Sequence, residues 1–119
     1  DVAPAPERLG TLADGAGVAY KHHQACVLTV DIEPTDLLFI DTLHTYQQLT
    51  TELKLHAAKA RQFIILHDTT TFANFDEGTS TGPGLARAVA DFLSGGEWGL
   101  LERHTHNNGL TVLGRGVLA

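Results

Sequence analysis

The residues of this chain best suited to chemistry lie in two short runs, IDTLHTY at 40–46 and ILHDTTT at 65–71. Asp41 and Asp68 each stand just beyond an apolar stretch, and two carboxylates brought together can hold a hard cation, which prefers oxygen ligands, or a cationic substrate group. His44 follows Asp41 by three residues. Its imidazole titrates near neutrality, so it can take a proton from a hydroxyl held at the same place. Asp also favours helix caps and turns. Only convergence of the two aspartates separates a site from a pair of caps.

Convergence depends on the elements that carry these residues. DLLFID at 36–41 and RQFIILHD at 61–68 each set four apolar residues between polar ends, the pattern of a parallel strand covered on both faces. Between them Tyr46, Leu49, Leu53, Ala57 and Ala60 recur at spacings of three and four, which predicts a helix over 45–60. Strand, helix and strand make a right-handed βαβ unit. In open α/β sheets ligands bind beyond the carboxyl ends of strands. Asp41, His67 and Asp68 fall at such ends, about 4.8 Å apart across the sheet if the strands are neighbours.

The flanking segments complete the expectation. Residues 5–13 predict a short helix with Leu9 and Leu12 inward, stopped by Gly15 and Gly17. Val18, Tyr20 and the run 27–30 predict at least one strand within 18–30. Residues 69–84 lack apolar periodicity and predict a long surface loop of the kind that carries function. Pro83 then opens a helix with Leu85, Val89, Phe92 and Leu93 on one face, ended by Gly95-Gly96. WGLLERH and GLTVLGR flank His106-Asn107-Asn108 and predict an antiparallel hairpin.

With 119 residues, 43% hydrophobic, the chain is the size of one domain. Its apolar runs are too short to span a bilayer. The net charge of −6 with eight scattered Lys and Arg argues against a nucleic-acid partner. A lone Cys26 cannot form an internal disulfide and no basic-then-apolar leader opens the chain, so a reducing cytoplasm is expected. His22, His23, His56, His104 and His106 read as solvated or packed. The glycines at 78, 82 and 84 read as loop glycines, since no phosphate-binding loop or nucleophile elbow is present.

DLLFIDTLHTYQQLTTEL at 36–53, FIILHDTTTF at 63–72 and the terminal hairpin together resemble the later strands of class I S-adenosylmethionine-dependent methyltransferases. I-D-x-x-H-x-Y, a helix, and a strand ending in H-D-T are similar to the family of macrolide and rhamnosyl O-methyltransferases and cephalosporin-hydroxylase-like proteins. The likeness covers about residues 18–114. It implies a Rossmann-like three-layer α/β/α sandwich with a mostly parallel sheet and a C-terminal antiparallel hairpin, here a single domain over 1–119 that starts part-way and lacks the first strands.

The resemblance also implies a function, methyl transfer from S-adenosyl-L-methionine to a hydroxyl of a small molecule or sugar. Magnesium would be held by Asp41 and Asp68 with His67 beside them, and His44 would be the general base. Asp1, Cys26 and Asp41 fall on the cofactor side. The chain departs from the family at Thr42, where glycine is usual, at His67, where some metal-dependent members have glutamate, and at Cys26, where an acidic residue is expected. The glycine-rich cofactor loop is not in these residues. An exposed sheet edge predicts a homo-oligomer, most simply a dimer. Two other readings stay open, a non-catalytic α/β binding or oligomerisation module and a metal-dependent hydroxylase or hydrolase using the same acidic site.

Overall fold

A computed structural model describes residues 7–116. Its elements, in chain order, are α1 (Glu7–Gly15), β1 (Thr35–Ile40), α2 (Tyr46–His56), β2 (Ala60–His67), α3 (Gly84–Leu93), β3 (Trp98–His104) and β4 (Leu110–Arg115). The chain divides into two compact units, Asp1–Asp31 and Ile32–Ala119. The fold is α/β, and no helix among the described residues is long and apolar enough to cross a membrane.

In the first unit α1 forms as expected, but none of its residues is buried and Leu9 and Leu12 are exposed rather than inward. The predicted strand within 18–30 does not form. Val18, Val27 and Val30 have strand propensity, but strands are stabilised by cross-strand pairing. Here the chain instead turns on itself, with the Thr29 and Val30 amides donating to the Cys26 carbonyl at 3.1 and 2.9 Å.

The second unit is built on a four-stranded sheet of order β1-β2-β4-β3. β1 and β2 pair in parallel, with Ile40 opposite Leu66. β4 lies antiparallel to both β2 and β3. The sheet is therefore mixed rather than mostly parallel, because the hairpin folds its second strand back into the place beside β2. Asn107, Asn108 and Gly109 at the hairpin turn all have positive φ, a region that Asn and Gly enter more readily than other residues.

One core joins sheet and helices. Ile40, Ile64, Leu66 and Leu113 of the sheet are buried with Leu49 and Leu53 of α2 and Leu85 and Ala88 of α3. Both helices share this core, so within the unit they form one layer rather than two. The strands are accordingly buried on one face only. Leu37, Phe39 and Phe63 alternate with core residues and are exposed, as the two-residue period of a pleated strand requires.

α2 is shorter than its apolar spacing predicts. It gives way at Ala57–Lys59 to a single 3-10 turn, and Ala60 already belongs to β2. Arg115 explains the change. Its guanidinium donates to the carbonyls of Ala57 and Ala60 at 3.1 and 2.7 Å and lies 4.6 Å above the Trp98 ring. Carbonyls that a longer helix would satisfy internally are thus tied to the end of β4.

Candidate metal centre

Because β1 and β2 are parallel neighbours in register at Ile40 and Leu66, Asp41 and His67 leave the sheet side by side. One residue later the chain turns sharply, since Asp68 adopts a left-handed conformation with φ 61°. Its amide donates to the Gly109 carbonyl at 2.9 Å. The turn brings Asp68 Oδ2 to 2.7 Å from His44 Nε2 and 3.0 Å from His67 Nδ1. Asp41 reaches the same two rings, at 3.2 Å to His44 Nε2 and 3.6 Å to His67 Nδ1. One potential ligand atom from each of Asp41, His44 and Asp68 lies within 4.8 Å of the others.

His44 is held from several sides. Thr45 caps α2 through its hydroxyl, which accepts the Gln48 amide at 3.1 Å, so His44 sits immediately before the helix. Its ring lies flat on Phe72, centroids 4.7 Å apart. Glu77 grips it from the other side. The Glu77 carboxylate is 2.5 Å from Nδ1 and accepts the His44 amide at 3.3 Å, and the Glu77 amide donates to the His44 carbonyl at 2.8 Å.

The loop between β2 and α3 supplies these contacts and is itself pinned. Asp76 Oδ1 accepts the amides of Tyr46 and Gly84 at 2.8 and 3.1 Å, joining the starts of α2 and α3. The Thr69 and Thr111 hydroxyls meet at 2.9 Å in the interior. Gly84 is more than a loop residue. With φ +81° it passes so close to the Ala73 carbonyl that a Cβ would come within 2.5 Å.

The electrostatics follow from this crowding. Partial burial pushes the His44 pKa down, but hydrogen bonds to Glu77 and Asp41 and the charges of Asp68 and Glu77 outweigh it and hold the pKa above the ordinary imidazole value. The same hydrogen bond with His44 holds Glu77 below the usual carboxylate range. Both ring nitrogens face carboxylates, which suits an imidazolium donating at each end.

Of the residues singled out in the sequence, Asp41, His44 and Asp68 come together, and His67 stands beside them as a partner of Asp68. Cys26 is exposed in the first unit, and Asp1 lies outside the described residues. His104 and His106 meet edge to face and line, with His67, Asn107 and Leu110, a cavity of about 310 Å³. Phe72, Asp76 and Glu77 escaped sequence reasoning, because their roles arise from contacts across 28 to 33 positions. The available signal was their place in a long loop directly after a strand end. Comparison with protein-family models, with curated proteins and with solved structures finds no match to the chain.

Proposed function

We propose that the Ile32–Ala119 unit is the acceptor and metal half of a divalent-cation-assisted O-methyltransferase acting on a hydroxyl of a small molecule or sugar. The observation that carries this reading is the convergence of Asp41, His44 and Asp68 at the ends of two adjacent parallel strands. The antiparallel hairpin beside the parallel pair supports the family resemblance, as does the I-D-x-x-H-x-Y run that supplies two of the three residues.

Two carboxylates suit magnesium or manganese, hard cations that prefer oxygen ligands. A bound cation would lower the pKa of a coordinated hydroxyl. The chain's own residues then have distinct tasks. Asp41 and Asp68 would hold the cation and so orient the acceptor. Glu77 keeps the proton on Nδ1 of a neutral His44, leaving Nε2 free to accept one from the hydroxyl. Cys26, which the resemblance assigns to the adenine side of S-adenosylmethionine, is an exposed thiol. The cofactor half of the reading rests on the resemblance alone.

A metal-dependent hydroxylase or hydrolase is the second reading, and the imidazole within the carboxylate cluster favours it, because such mixed nitrogen and oxygen sets also suit redox-active iron. Calorimetric titration with Mg²⁺, Mn²⁺ and Fe²⁺ under anaerobic conditions tests both. Binding abolished by Asp41→Asn with Asp68→Asn supports the site, and preference for Mn²⁺ or Mg²⁺ over Fe²⁺ favours methyl transfer. Unchanged binding in that double variant rejects the site. The exposed outer edge of β1 further supports self-association.

A further inference from the structure

Glu52 lies on α2 facing the core and is 2% exposed. A carboxyl group so deeply buried is unfavourable unless hydrogen-bonded. Its partner is the Thr42 hydroxyl, which donates to Glu52 Oε1. Thr42 belongs to the short span between Ile40, the last residue of β1, and Thr45, the cap of α2. Its neighbours Asp41 and Leu43 are exposed. The Thr42 side chain thus anchors to the protein interior a segment whose flanking side chains point outward.

Two clustered residues depend on the path of that segment. Asp41 precedes Thr42 directly, and His44 follows by two. Asp68, by contrast, is placed independently through the Gly109 carbonyl. We infer that the Thr42–Glu52 hydrogen bond is a latch that sets the position of Asp41 and His44 against Asp68, making Glu52 a positioning residue for the metal centre. The inference rests on the metal-site reading given above. Groups that orient ligands without touching the ion commonly change metal affinity by 10- to 100-fold.

The experiment measures Mn²⁺ affinity by electron paramagnetic resonance in the whole chain and in Thr42→Val, Thr42→Ser and the double variant Thr42→Val with Glu52→Leu. Thr42→Val should weaken Mn²⁺ binding roughly tenfold or more, and Thr42→Ser, which keeps the donor, should stay near the wild type. The double variant removes both polar partners, so thermal stability should recover toward the wild type while Mn²⁺ binding stays weak. A positioning role is overturned if the double variant regains wild-type affinity, or if folded Thr42→Val never loses it. Should the wild type bind no Mn²⁺, the metal reading fails and the latch is decided by proton NMR. The His44 ring resonances, shifted by the Phe72 face, should then move in Thr42→Val and not in Thr42→Ser, and identical resonances in both would reject the latch.

Discussion

The imidazole of His44 lies on the phenyl ring of Phe72 with the two planes 5° from parallel and the centroids 4.7 Å apart. The two residues come from opposite sides of the site, one from the start of α2 and the other from the loop after β2. A cation over an aromatic face is attracted by the ring quadrupole, by about 0.5–1 kcal/mol at exposed sites and more where water is excluded. Phe72 therefore favours the protonated ring in the same sense as the surrounding carboxylates. It also covers one face of His44, while the carboxylates stand at the ring edges.

Phe72→Leu keeps an apolar side chain and removes the quadrupole. The variant should lose on the order of 0.5–1 kcal/mol at pH 5.5, where His44 is charged, and less at pH 9. Urea unfolding at both pH values checks this, and equal losses at both would count against the cation–ring contribution.

The pH dependence follows from the two shifted groups. His44 is raised above its usual 6.5, so its stabilising contribution is full below about 6.5 and is lost as the pH rises through the folded-state value. Glu77 is held below its usual 4.5, so its contribution is present above about 4.5 and fades as the pH falls through its lowered value. Thermal midpoints should thus be highest between these limits. Glu77→Gln should flatten the profile on both sides and lower the His44 pKa read by NMR titration.

Metal binding should oppose protonation of His44, since its Nε2 stands 3.2 and 2.7 Å from the Asp41 and Asp68 carboxylates and a cation held there would repel a second positive charge. Mn²⁺ affinity is expected to rise with pH through the His44 titration and then level off. At a free concentration one hundred times the dissociation constant, Mn²⁺ should stabilise the fold by about 2.7 kcal/mol. Asp68→Asn, which tolerates the left-handed backbone, should remove that gain in calorimetric melts without unfolding the protein.

Gly109 faces Thr70 so closely that a Cβ would lie 2.3 Å from the Thr70 amide nitrogen, and its φ is +101°. Gly109→Ala should therefore destabilise by at least about 2 kcal/mol, combining backbone strain with a clash that only main-chain movement can relieve. Since the Gly109 carbonyl also holds the Asp68 amide, the same variant should weaken Mn²⁺ binding. Urea denaturation and metal titration read the two effects separately.

The outer edge of β1 has no strand partner among the described residues, and Leu37 and Phe39 beside it are exposed. Sedimentation velocity should show concentration-dependent dimerisation. Phe39→Lys should shift the chain toward monomer, because a lysine on an edge strand disfavours pairing with another copy. A monomer at all concentrations in the wild type would reject self-association at this edge.

What the sequence determined by itself was local. Four apolar residues bounded by aspartates at 36–41 and the matching run at 61–68 produced β1 and β2, and the spacing of Leu49 and Leu53 produced the buried face of α2. Asp41, His44 and Asp68 could be singled out because they follow strand ends, where α/β sheets place ligands. The tertiary structure decided whatever required a partner distant along the chain. The run at 18–30 had strand propensity but turned on itself instead of pairing, and strands buried on two faces in expectation are buried on one, since α2 and α3 share a single core. Arg115 shortened α2 through carbonyls 55 and 58 positions away. Glu77 and Phe72 became part of the site only when the loop folded back over His44. Periodicity records which face of an element is apolar, but hydrogen bonds and ring contacts across dozens of residues depend on the folded path of the chain. For that reason the candidate ligands were legible in the sequence, and the groups that hold and charge them were not.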